Sequence, residues 1–174
     1  MKSLVDHLSQ YAAYHRDPRN IASHFIGIPL IVVAVAVLLS RPEWSVGGLW
    51  ISPAVIVALA SAWFYLRLEL KLGVFMTVLM GLSVWAGHSL AQQSTLVWLS
   101  AGLAMFVIGW AIQFVGHHYE GRKPAFVDDL SGLIVGPLFV VAELAFMLGM
   151  RHELKEQIEA RAGVVRVNPN RAAV

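Results

Sequence analysis

Apolar residues fill the chain in five long runs, at 21–40, 46–66, 72–91, 95–115 and 130–150, and polar residues gather in the short intervals between them. Twenty helical residues at about 1.5 Å each reach about 30 Å, the thickness of a hydrocarbon core, so each run is long enough to cross a membrane. Ahead of them Leu4, Leu8, Tyr11 and Ala12 recur at helical spacing. This predicts an amphipathic helix over 3–15 lying at the membrane interface. Pro18 ends it, and Asn20 is placed to cap the next helix.

The fifth run differs from the others. Gly136-Pro137 interrupts it, and Glu143 lies near its middle, where a carboxylate is costly unless it faces protein or water. The pattern therefore predicts an all-α polytopic membrane bundle with four crossings, a broken or re-entrant fifth apolar element and an N-terminal interfacial helix. Residues 1–162 form one membrane-embedded catalytic domain in this reading. Residues 163–174 form a flexible tail, since they lack an apolar run to anchor them.

The basic residues choose between topologies. If the fifth run crosses, the 13 Lys and Arg divide almost evenly between the two sides. If it dips in and returns, all of them except Arg41 share the cytoplasmic side, as the positive-inside preference favours. Both termini are then cytoplasmic, in an inner membrane if the chain is bacterial and in the endoplasmic reticulum if it is eukaryotic. Residues 1–14 have no apolar core, so the first run is expected to remain as a membrane segment and not to be cleaved as a signal peptide.

Composition strengthens the membrane reading. The hydrophobic fraction is 57%, the charged fraction 14% and the mean hydropathy +0.65, against about 45–50% apolar and about 25% charged in soluble domains. No cysteine is present, which excludes disulfides, thiolate metal sites and cysteine nucleophiles. A net charge of only +2, with the basic residues beside apolar segments, leaves no nucleic-acid surface and makes membrane lipid the partner. Nucleophile-elbow, phosphate-loop and dinucleotide fingerprints are all missing.

Four of the seven histidines cluster at two polar boundaries: His15 and His24 before and within the start of the first run, His117 and His118 at the end of the fourth. In the four-crossing topology both boundaries face the cytoplasm. Imidazole is the commonest side-chain ligand for borderline metals, so these ends are read as halves of one metal site. His117 and Glu120, three apart, share a helix face, while His118 points about 100° away. Two or three of the histidines, with or without Glu120, suit non-haem iron(II) or zinc. His88 lies roughly 24 Å from the cytoplasmic end at helical rise and is read as a buried, hydrogen-bonded histidine. Arg16, Arg19, Arg122 and Lys123 flank the same boundaries as topology anchors. Arg16 and Arg122 are also candidates for holding the carboxylate of an amphiphilic substrate.

The two boundaries carry recognisable motifs. Tyr14-His15, Pro18 and Asn20 are followed by His24 and Pro29. Gly109-Trp110, Gln113-Phe114 and Gly116-His117 precede Glu120, Arg122 and Pro124-Ala125, with Asp128-Asp129-Leu130 and Gly136-Pro137-Leu138-Phe139 beyond. Over about residues 4–154 the chain resembles the membrane-embedded 2-hydroxy fatty acid dioxygenases of alpha-oxidation. The resemblance implies an iron(II) enzyme that removes one carbon from a 2-hydroxy long-chain fatty acid with dioxygen and depends on its histidines. On that basis His15, His24 and His117 are expected to bind Fe(II), with Glu120 or His118 completing or orienting the shell, and Arg16 or Arg122 facing the substrate carboxylate. Fungal members carry one more residue between the motif histidine and glutamate, which turns the glutamate by about one helical step of 100°. The alternatives are a zinc-dependent membrane lipid hydrolase using the same ligands, or a non-enzymatic membrane protein whose histidines cap helices or sense pH.

Overall fold

The computed structural model describes residues 2–166, and within them the chain is mostly helical. The α-helices are α1 (Leu4–Ala12), α2 (Pro18–Ser40), α3 (Pro53–Leu68), α4 (Leu70–Ala91), α5 (Thr95–Glu120), α6 (Gly132–Met147) and α7 (His152–Ala162). A hairpin of β1 (Trp44–Val46) and β2 (Leu49–Ile51) separates α2 from α3, and a 3-10 turn, Ala125–Val127, precedes α6. Of these, α2, α4 and α5 are long and apolar enough to cross a membrane, and the bent pair α6–α7 would make a fourth if counted as one span.

Two compact units divide the chain: residues 1–28 with 111–174, and residues 29–110. In the first, a capping box starts α1, with Ser3 and Asp6 satisfying each other's backbone N–H groups. The stripe Leu4, Leu8, Tyr11 and Ala12 is buried, and α1 packs against α6 and α7. The apolar face expected to lie on lipid is thus covered by protein. Helix α2 begins earlier than expected, with Pro18 as its first residue, where a missing N–H costs nothing. Asp17 accepts the N–H of Arg19, so the capping carboxylate is Asp17, and Asn20 is left free for the site.

The fifth apolar run does break, but not where Gly136-Pro137 suggested. Pro137 lies inside α6, and the chain turns by 118° between α6 and α7. Gly149 (φ 73°) and Arg151 (φ 62°) take left-handed conformations at that bend. Gly136 serves packing instead: a Cβ there would lie 2.9 Å from the Tyr11 hydroxyl. Glu143 meets the demand of its apolar surroundings through Arg16, whose Nη2 lies 3.6 Å from Oε1. Of the tail expected to be flexible, residues 163–166 are described and bond to Arg16, while 167–174 lie outside the described residues.

In the second unit the run 46–66 is not a single helix. Its start forms the hairpin, turned through Gly47 and Gly48 with φ of +60° and +82°, and α3 covers only 16 residues. Helix α3 packs on α4, where Gly73 lets the backbone of Leu66 approach so closely that a Cβ would lie 2.7 Å from its Cα. His88 on α4 stacks on Trp50 with ring centroids 4.2 Å apart, and its Nδ1 lies 3.2 Å from a Glu43 carboxylate oxygen.

Candidate metal centre

His15 follows the end of α1, His24 lies in the second turn of α2, and His117 in the last turn of α5. Each is buried, with 0%, 2% and 6% of its surface exposed. Helical spacing orients the first two. The His15 Nδ1 donates to the carbonyl of Tyr11 at 2.7 Å, and the His24 Nδ1 donates to that of Asn20 at 2.8 Å, four residues back in each case. A carbonyl oxygen has no proton to give, so both Nδ1 atoms carry the hydrogen in the neutral rings and both Nε2 atoms hold lone pairs. Tyr11 fixes the plane of His15 by stacking on it, with ring centroids 4.2 Å apart and the planes 4° from parallel.

Those two Nε2 atoms lie 2.9 Å apart. Burial, and then the neighbouring His24, hold the His15 imidazole well below its ordinary range, so a proton between the rings is disfavoured at neutral pH. Two facing lone pairs repel unless a cation sits between them. Two nitrogens bound side by side to one ion at about 2.1 Å are about 3.0 Å apart when they subtend a right angle, so the spacing suits a shared metal. The His117 ring stands 4.9 Å from His15 and 5.1 Å from His24, centroid to centroid. One ligand atom from each of the three lies within 4.8 Å of the others, and among the described residues these are the His, Asp and Glu side chains that could share an ion. Nδ1–H bonds to backbone carbonyls are the usual outer support of metal-binding imidazoles.

The other expected site residues lie elsewhere. Glu120 is buried, but its Oε2 accepts the N–H groups of Arg16 (2.9 Å) and Asp17 (2.8 Å) and the Asn20 amide (3.1 Å). It faces the turn between α1 and α2 and is outside the histidine group. His118 is exposed and meets Tyr119 edge-on at 5.9 Å. Arg122 is exposed and bonds the Ala13 carbonyl. Arg16 is buried, with Nε on the carbonyls of Ala12 and His15, Nη1 on that of Gly163, and Glu143 opposite.

Sequence reasoning missed Tyr11 and Glu143 as supports, although both left a signal: Tyr11 is four residues before His15, and a carboxylate in an apolar run demands a buried cation. It gave Asn20 a capping role instead of its place beside Glu120. Gly116 packs directly against the start of α2. A Cβ on it would lie 2.0 Å from Ser23 Oγ and 2.6 Å from Asn20 Oδ1, so its bare backbone is what admits α2 to the end of α5 that carries His117.

The family model described as 2-hydroxy-palmitic acid dioxygenase Mpo1-like matches residues 1–148. The chain belongs to the Mpo1-like family. It is 32% identical over 163 residues to the 2-hydroxy-palmitic acid dioxygenase MPO1 of Saccharomyces cerevisiae, covering 91% of this chain and 90% of the yeast protein. No solved structure matches. The match runs through all three histidines and ends close to the bend after α6.

Proposed function

We propose that this chain is a membrane-embedded iron(II) dioxygenase that shortens 2-hydroxy long-chain fatty acids by one carbon. The observation that carries the proposal is the 2.9 Å approach of two buried imidazole Nε2 atoms whose Nδ1 positions are both engaged by carbonyls. Three neutral nitrogen donors would hold the ion through His15, His24 and His117, leaving positions open for exogenous ligands. Iron is preferred to zinc because the yeast relative is a dioxygenase. When bound, the iron supplies a Lewis acid for the hydroxyl and carboxylate oxygens of the substrate and a partner for dioxygen.

The overall reaction needs no further reductant. The bond between the carboxyl carbon and the hydroxyl-bearing carbon breaks, the latter becomes the new carboxyl, and the old carboxyl leaves as carbon dioxide. Four electrons pass from the hydroxy acid to one dioxygen, and water is the other product. The chain's own residues bind and orient: the carbonyls of Tyr11 and Asn20 keep both Nδ1 protons in place, Tyr11 covers one face of the His15 ring, and Phe139 packs beside both rings. Arg16 is already engaged by three carbonyls and Glu143, so exposed Arg122 is the cation better free to meet the substrate carboxylate. The acyl tail would lie along apolar helix faces, each buried methylene contributing about 0.8 kcal/mol.

Anaerobic purification with elemental analysis, followed by 2-hydroxypalmitate and air, tests the proposal. About one iron per chain, oxygen uptake and release of the fatty acid one carbon shorter are expected, and His24→Ala should abolish both metal content and turnover. Undiminished iron in His24→Ala, or zinc in the purified protein with no oxygen uptake on iron loading, would defeat it.

A further inference from the structure

Glu120 and the segment after α7 meet at the turn that joins α1 to α2. The Glu120 side chain is fully buried, and a buried carboxylate is costly unless its charge is matched. Its Oε2 receives the Arg16 and Asp17 N–H groups and the Asn20 amide. Its Oε1 lies 3.1 Å from Nη2 of Arg166, the one cation set against it from beyond α7 among the described contacts. The same segment is tied to the turn in both directions. The Arg166 N–H donates to the Arg16 carbonyl at 2.8 Å, and the Arg16 Nη1 donates to the Gly163 carbonyl at 2.8 Å.

The turn so held runs directly from His15 to the start of α2, which carries His24. Any slack in it separates the two Nε2 atoms. Glu120 is three residues after His117, so one helix end presents a ring to the other two histidines and a carboxylate to the turn between them. We infer that Glu120 is a positioning residue, not a metal ligand, and that Arg166 closes it from the far side, so that the segment Gly163–Arg166 sets the metal affinity of the histidine site. This rests on reading the three histidines as a metal centre.

The test uses the full chain in detergent with Co(II) as a spectroscopic probe, in wild type, Glu120→Gln, Arg166→Ala, Arg166→Lys and the double variant. Loss of an outer support typically weakens metal binding 10- to 100-fold. About 10-fold is expected for Arg166→Ala, more for Glu120→Gln, and substantial recovery for Arg166→Lys. At saturating Co(II) the Glu120→Gln spectrum should match wild type, because the donor atoms are unchanged; a changed spectrum would make Glu120 a ligand and overturn the inference. Unaltered affinity in Arg166→Ala would also overturn it. If wild type binds no Co(II), the metal reading fails, and the clasp is judged on metal-free protein by thermal denaturation. There the downward shifts of Glu120→Gln and Arg166→Ala should be non-additive in the variant that combines them, and simple additivity would refute the clasp.

Discussion

Asn20 acts at the site twice, with its backbone carbonyl on the His24 Nδ1 and with its side-chain amide on Glu120 and the Tyr14 carbonyl. Asn20→Ala keeps the first role and deletes the second, leaving a buried carboxylate one donor short at a cost of about 1–3 kcal/mol. Asn20→Asp sets a second carboxylate beside Oε2 and should cost more. Thermal denaturation should rank wild type above Asn20→Ala above Asn20→Asp, and equal midpoints for the two variants would contradict the assignment. At this scale the sequence told half the story. Asp17 and Asn20 are both good capping residues three apart, and only Pro18, which prefers the first helical position, decides between them. Topology brought the end that carries His15 and His24 to the side of the end that carries His117, His118 and Glu120, and the family resemblance picked out the three histidines, whereas the direction of Glu120 followed from neither. Three-residue spacing from His117 places both on one face of a helix without saying which neighbour each one meets.

Among the elements, the long runs that became α2, α4 and α5 were legible because length and hydropathy agree over more than twenty residues. The stretch around 44–51 was not, for apolar continuity masked a two-residue Gly-Gly turn between short alternating strands, a recognised hairpin signal. Proline also misled: inside α6 the loss of one N–H is tolerated, and the bend falls where Gly149 and Arg151 take positive φ. The close approach of α2 to the His117 end of α5 depends on Gly116. Gly116→Ala must displace Ser23 and Asn20, and overpacking of this kind costs about 1–3 kcal/mol. The larger consequence is geometric, since His24 lies on the turn of α2 that would move. Iron per chain should fall well below that of wild type while far-UV circular dichroism stays helical. Full iron content in Gly116→Ala would mean that the histidines do not depend on this contact.

For the molecule as a whole, helix length decides which segments can cross the membrane. At 16 residues α3 is about 24 Å long, short of a hydrocarbon core of about 30 Å, whereas α2, α4 and α5 have 23, 22 and 26 residues. A span that is too short can still cross by local thinning of the bilayer, at fractions of a kcal/mol per ångström of mismatch, and the hairpin ahead of α3 adds Trp44 and Trp50, suited to the interface. Four crossings therefore remain the expected topology, because with α2, α4 and α5 all spanning, α3 must span as well to return His117 to the side of His15. The chain has no cysteine, so single-cysteine variants can be labelled without background. With an impermeant maleimide on oriented vesicles, Ser45→Cys and Gln93→Cys should react from one side, and Lys2→Cys, Lys71→Cys and Lys123→Cys from the other. If α3 only lay along the surface, Ser45→Cys and Lys71→Cys would react together. Helix α4 would then carry the chain back, and Lys123→Cys would emerge opposite Lys2→Cys. That outcome would separate the two histidine-bearing ends by the full bilayer and remove the common metal centre with them.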